Sequence, residues 1–161
     1  MSRFSLNIGC GDKILKSISG YKCINVDIRP LKDVDVVCDV RYLPFKDEFF
    51  ERILASDVIE HFPISETDEL LKEWSRVLKI GGHIKFRTPS LKWVANTYLQ
   101  TRDAKFISWH IFGGQDYDTN FHYVIFDDKW LSSLCAKHNL YTIDYKEVHS
   151  NFELVCEKRE A

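Results

Sequence analysis

The sequence predicts an α/β fold. It reads as a doubly wound, mostly parallel sheet in three α/β/α layers, ending in an antiparallel C-terminal hairpin. Three observations carry this. The runs "FSLNIG", "YKCINVDI", "DVDVVCDV" and "ERILASDVI" are short and β-branched, and end in or close to a glycine or an acid. An amphipathic stretch at 65–79 then leads into a fifth such run, "HIKFRTP". The last stretch, "YTIDYKEVHSNFELVCEK", alternates around "HSN" as two paired strands do.

The third and fourth runs are short and Val/Ile-rich, as expected of strands buried on both faces. In the helix at 65–79, Leu70, Leu71, Trp74, Val77 and Leu78 form one stripe with charges opposite. Ser65 is its expected N-cap, with Asp68 completing a weak capping box. Gly81 and Gly82 are expected to close it, because a left-handed C-terminal residue favours the absence of a Cβ. Further on, "LKWVANTYLQTRD" predicts a helix, and "WHIFGGQDYDTNFHYVIF" an aromatic loop without periodicity. Loops of that length in compact domains are usually functional. "DDKWLSSLCAKHN" predicts another helix, capped by Asp127 or Asp128, with Trp130, Leu131, Leu134 and Cys135 on one face. There is no repeat or linker, so residues 1–161 are expected to form one domain. Its cofactor half ends near residue 90, and the acceptor region and last strands follow.

Composition excludes several classes of function. At 161 residues the chain buries one core, and 45% hydrophobic with 29% charged residues is ordinary for a soluble domain. A net charge of -2 gives no general attraction to nucleic acid or to an anionic membrane. No apolar run approaches the ~18 residues of a membrane span, and only five residues precede the first strand, so neither an anchor nor a signal peptide is expected. Cysteines 10, 23, 38, 135 and 156 are odd in number and contain no C-x-x-C pair. They predict a reduced, cytoplasmic setting and no structural zinc; no metal is expected.

The stretch "LNIGCGD" raises the question of what lies over Gly9 and Gly11. A Walker loop needs Gly-Lys-Ser/Thr, which is absent, and a dinucleotide fingerprint needs a glycine where Ile14 stands. Two glycines alone fit a plain tight turn equally well. The following strands tip the balance. Asp27 ends the second and is suited to ribose hydroxyls; Asp39 ends the third and is suited to an adenine amine. Glycine loop, ribose acid and adenine acid together fit a nucleoside without phosphates.

These residues, with "LPFKDEFF" (Leu43, Pro44, Phe45, Asp47, Phe50), "EHF" (Glu60, His61, Phe62) and "RVLKIGG", resemble the class I S-adenosylmethionine-dependent methyltransferases, most closely the type 11 branch. The resemblance covers about residues 4–90 and implies a Rossmann-like sheet. It departs from the family pattern where Ile80 replaces a proline and where the glycine loop is short. It implies backbone around Gly9, Cys10 and Gly11 near the methionine and ribose, Asp27 on the ribose hydroxyls and Ile28 against adenine. Asp39 would bind the adenine amine with Val40 beside the ring, and Ser56 and Asp57 would lie near the methionine amine and sulfonium. The N-terminal lidding helix of many relatives has no counterpart, which suggests an exposed cofactor or one covered by a second subunit as a homodimer.

Methyl transfer from a sulfonium mainly requires alignment, and a base helps when the acceptor must lose a proton. The candidates are Asp57, His61 and His122, with His110 and Gln115 nearby in sequence; Asp57 is open between proton acceptor and cofactor-amine ligand. "FGGQ…N.H" (Phe112, Gly113, Gly114, Gln115, Asn120, His122) resembles a feature of type-11-like enzymes from surface-polysaccharide clusters. Gly113-Gly114 is a candidate hinge for a flap lined by Trp109, Phe112, Tyr117 and Phe121, unless these aromatics simply extend the core. The expectation is methyl transfer to an O or N atom of a small or glycan-like acceptor, without nucleic acid. The alternative is an inactive module that binds S-adenosylmethionine or S-adenosylhomocysteine.

Overall fold

The computed structural model describes residues 3–160. The chain runs β1 (Phe4–Ile8), β2 (Ser17–Ile18), β3 (Tyr21–Asp27), β4 (Val36–Val37), β5 (Phe50–Ser56) and a 3-10 turn (Ile59–His61). It continues with α1 (Thr67–Val77), β6 (Leu78–Pro89), α2 (Leu91–Thr101), α3 (Ala104–Phe112), α4 (Asp128–Ala136), β7 (Leu140–Val148) and β8 (Asn151–Lys158). All strands join one sheet, ordered β2-β3-β1-β5-β6-β8-β7, with β4 on β3. Pairs β1–β3, β1–β5, β3–β4 and β5–β6 are parallel; β6–β8 and β7–β8 are antiparallel. This is the mostly parallel α/β sheet with the expected terminal hairpin.

One face of the sheet carries the core. Ile53 and Ala55 of β5 and Ile84 and Phe86 of β6 are buried with Leu70, Leu71, Trp74 and Val77 of α1 and Leu131 and Cys135 of α4. Each large side chain so buried contributes roughly 1.5–3 kcal/mol. The Trp74 indole keeps its polar tip satisfied by donating to the Val40 carbonyl at 3.0 Å. The alternate positions are half-buried and charged: Arg52, His83, Lys85, Arg87, Glu153 and Glu157, with Lys85 paired to Glu153 at 2.7 Å. Over the carboxyl end of this second face, Trp109 and His110 of α3 share a groove with Leu54 and Ser56.

The "LPFKDEFF" stretch is a structural clamp. Arg76 of α1 donates to the carbonyls of Leu43 and Phe45 and to the Asp47 carboxylate, while Glu73 accepts from the Leu43 amide at 2.8 Å. Phe4, Phe45, Phe49 and Phe50 then stack edge and face at 4.9–6.2 Å between ring centres. The crossovers from β1 to β3 and from β4 to β5 contain no helix, so alternation of strand and helix begins only at α1.

Several expectations are corrected. Ser65 does not cap α1; Glu66 holds that position without a side-chain bond, because residues 63–67 form a turn of their own. Gly81 and Gly82 do not end α1. It stops at Val77, since Leu78 is already extended and paired with Phe50. The glycines instead lie in β6 where the pairing jumps from Phe50↔Leu78 to Arg52↔His83, and Gly81 has φ +73°. The third strand is only Val36–Val37, with Val37 exposed. Residues 109–112, expected in a loop, belong to α3. Asp103 caps it by accepting from the Phe106 amide, but its exposed aromatics hide the helical period. In α4 Asp127 is the N-cap as expected, while Trp130 is exposed rather than in the core.

Candidate functional site

The parallel register, Ile8↔Val26, Ile8↔Ala55 and Val26↔Val36, delivers Gly9, Asp27, Asp39 and Asp57 to one edge of the sheet. All four line a single cleft of about 350 Å³, together with Ile28, Val40, Val58, Phe62 and Tyr123. Asp27 and Asp39 therefore face common space, whose walls also carry the apolar side chains of Ile28, Val40, Val58 and Phe62.

Gly9 turns the chain out of β1 with φ +57°, and a Cβ there would stand 2.7 Å from Val58 Cγ2. The Gly11 amide donates to Asp27 Oδ2 at 2.8 Å, so the strand-end acid also fixes the glycine loop. Asp27 is 4% exposed, and its other oxygen accepts from the Arg29 amide and Nε. Asp39 repeats the device. It accepts from the Arg41 amide and guanidinium, which holds its carboxyl below the usual range, and Arg41 reaches on to Glu66. Arg29 and Arg41 both line the cleft. The sequence reading missed them, although the shared spacing Asp-x-Arg was legible. Ile28 is exposed in the cleft and Val40 is buried behind it.

Ser56 and Cys10 line the adjoining groove rather than this cleft. Burial, and then Asp27, push the Cys10 thiol up to about 11, which leaves it an unreactive hydrophobe. The groove has a volume of about 530 Å³ and is walled by Arg87, Trp109, His110, Gly114, Asn120 and His122. Gly9, Arg29, Asp57, His61 and Tyr117 line both spaces, so the two chambers meet there.

Asp57 sits at φ +56° with its carboxylate held by Arg87, by Asn151 Nδ2 at 2.7 Å and by Ser56 Oγ at 3.3 Å. Neither Arg87 nor Asn151 was singled out in the sequence; their strands are far apart in the chain. His61 and His122 come together with ring centres 4.9 Å apart. Each Nδ1 faces a carbonyl, Phe121 at 2.9 Å and His110 at 3.1 Å, and since a carbonyl only accepts, each Nδ1 carries the proton. Burial lowers both pKa values. For His61 the neighbouring His122 adds to this, against the carbonyls of Phe121 and Thr119 and the charge of Asp57. Beneath them Glu60 is fully buried, which together with Asp57 pushes its carboxyl up to about 8.

Gly113 and Gly114 pack against Asn120, and Gln115 N–H donates to the Asn120 carbonyl at 2.9 Å. Tyr123 N–H donates to the Glu60 carbonyl, tying the segment to the cleft. Trp109, Phe112, Tyr117 and Phe121 are all exposed, so they do not extend the core.

A parallel sheet with a glycine turn and acids at successive strand ends defines a nucleoside-binding α/β protein of the class I methyltransferase type. Residues 6–86 match the family model described as a methyltransferase domain, half of the chain, and the chain belongs to that family. S-adenosylmethionine is the methyl donor of this class. Curated relatives include the mouse and human proteins called probable tRNA methyltransferase 9B, each 36% identical over 88 residues, or 48% of this chain. The chain spans about a fifth of their length (20% and 19%). Among solved structures, a SAM-dependent methyltransferase from Methanosarcina mazei matches with TM-score 0.72 at 19% identity, over 99% of this chain and 94% of that one. The Burkholderia thailandensis 1,6-didemethyltoxoflavin-N1-methyltransferase, solved with its substrate and S-adenosylhomocysteine, matches with TM-score 0.69 at 13% identity, over 99% and 72%. No helix among the described residues is long and apolar enough to cross a membrane.

Proposed function

We propose that the protein moves a methyl group from S-adenosylmethionine to an oxygen or nitrogen of a small-molecule or glycan-like acceptor. The observation that carries this reading is the junction of the two chambers at Gly9, Asp57 and His61. A sulfonium in the cleft lies beside an acceptor in the groove. In the cleft, Asp27 accepts from the ribose hydroxyls, Asp39 accepts from the adenine amine, and Ile28 and Val40 flank the ring. Backbone at Gly9, Cys10 and Gly11 runs along the methionine part, with Ser56 and Asp57 toward its amine. Arg29 and Arg41 release part of their hold on the two acids as the nucleoside enters.

The reaction is an in-line displacement. The acceptor lone pair forms a bond to the methyl carbon, the carbon–sulfur bond breaks, and sulfur keeps the electron pair as S-adenosylhomocysteine. Holding the partners in line supplies up to about 7–11 kcal/mol. Because Asp57 is already engaged by Arg87 and Asn151, it orients the junction. The neutral His61 and His122 rings, each with a free Nε2 lone pair, are the groups that take a proton. Trp109, which is exposed, and Asn120 both line the groove and suit a sugar, an apolar face edged by hydroxyls. The five free cysteines agree with a cytoplasmic setting.

Calorimetry with S-adenosylmethionine and S-adenosylhomocysteine, followed by transfer of labelled methyl to a panel of glycans and to bulk tRNA, tests the reading. Label on glycans is the expected result. Binding without any transfer means an inactive cofactor module, and no binding at millimolar ligand sinks the whole reading. Similarity to the mammalian tRNA methyltransferase-named proteins supports a second reading, in which RNA is the acceptor; label in tRNA alone would establish it.

A further inference from the structure

We propose that Glu60, His61 and His122 bind a divalent transition-metal ion at the floor of the acceptor groove. One donor atom from each lies within 4.8 Å of the other two. Metal–donor bonds of about 2.0–2.2 Å bring tetrahedral donors to about 3.4 Å of one another, so the three draw in by roughly an ångström on binding.

The arrangement around them is that of prepared ligands. Each histidine Nδ1 is anchored on a backbone carbonyl, which leaves Nε2 as the lone-pair nitrogen. Such a second partner commonly fixes the ring of a metal-bound histidine. Glu60 is anchored in the same way, its Oε2 accepting from the Thr88 hydroxyl at 3.1 Å. Its other oxygen, Oε1, is buried without any hydrogen-bond partner, alone in this among the described residues. A buried carboxyl oxygen with no partner demands an explanation, and a cation that displaces the carboxyl proton supplies one. Two imidazoles and one carboxylate select zinc, manganese or iron(II) over magnesium or calcium, and leave coordination positions open.

Its catalytic role rests on the methyl-transfer reading of the groove; the binding itself does not. With the ion in place both Nε2 lone pairs are spent on it, so the imidazoles no longer take the proton. An acceptor hydroxyl in an open position loses it to water more readily because the cation stabilises the alkoxide. The alkoxide oxygen then bonds to the methyl carbon while the carbon–sulfur pair returns to sulfur, so the proton and S-adenosylhomocysteine are the only other products.

The full chain, stripped with chelator, is titrated with Zn²⁺ and Mn²⁺ by calorimetry and with Co²⁺ by visible absorption. Saturation at one equivalent is expected, with Glu60→Gln and His122→Asn each weakening it by more than about tenfold. Circular dichroism identifies a variant that fails to fold, and the other then decides. Absence of stoichiometric binding, or equal affinity in the folded variant, overturns the proposal. S-adenosylhomocysteine binding by the metal-free chain is measured in parallel. Cofactor without metal removes this inference alone, and metal without cofactor removes the methyltransferase reading alone.

Discussion

Residues 4–90 and residues 91–123 are built on different terms. In the first region Leu6, Ile8, Val26, Ile53, Leu70 and Trp74 are all but fully buried, and the polar motif residues have fixed partners. In the second, Val94 and Ile107 are the only buried residues of α2 and α3, while Trp109, Phe112, Tyr117 and Phe121 face solvent. The first region is held by packing, and the second by hydrogen bonds, some within the segment and some reaching back to Glu60 and His61. Substitutions in the second region can thus be tolerated without disturbing the sheet.

The sharpest way to break this contrast is a pair of equivalent substitutions. Gly9 and Gly113 both have positive φ, and at both an added Cβ comes within 2.7 Å of a neighbour. Gly9→Ala is expected to destabilise the fold by about 3 kcal/mol, because strain and a clash with Val58 meet in the core. Gly113→Ala, whose Cβ would meet the Asn120 backbone carbonyl, should distort the 113–120 turn and lower methyl transfer while costing less global stability than Gly9→Ala. Urea denaturation compares them, and equal losses would erase the distinction.

Next in size, Arg76→Ala removes donors from Leu43, Phe45 and Asp47 at once. A loss of about 2–3 kcal/mol is expected in the same assay. For binding, Asp27→Ala should weaken S-adenosylhomocysteine by more than about 1.5 kcal/mol, whereas Trp109→Ala leaves that affinity intact and lowers methyl transfer. Calorimetry beside a labelled-methyl assay reads both, and a cofactor effect from Trp109 would merge the two regions.

The smallest effect concerns pH. The Arg41 guanidinium lowers the Asp39 carboxyl, so this pair stabilises the fold above the ordinary carboxylate range, and that stability is lost as pH falls through the lowered value. Wild type should exceed Asp39→Asn by under about 1 kcal/mol at pH 7, and the gap should close in acid. A gap that widens in acid contradicts the assignment.

Legibility in the sequence follows the same division. Buried strands reveal themselves by composition, so the positions of Asp27 and Asp57 at strand ends were readable, as was the Asp127 cap. Asp39 follows a two-residue, partly exposed strand that reads as a longer one. The ends of α1 were not. Ser65 and the glycine pair carry ordinary capping chemistry, and only the pairing of Leu78 with Phe50 makes a bulge of what reads as a helix stop. Helix α3 escaped because its aromatic residues are exposed and only Ile107 is buried, so no apolar face stands out from a polar one.

The sequence by itself determined the mostly parallel α/β class, the family, and the placing of Asp27 and Asp57 at the ends of strands, because apolar periodicity and a glycine at the end of a strand are local signals. Only the tertiary structure decided which groups meet. Asp57 with Arg87 and Asn151, and Glu60 with His61 and His122, are joined by strand pairing and by a loop that folds back across some sixty residues of chain. No local preference records contacts of that separation, since they exist only once the sheet has closed the distance.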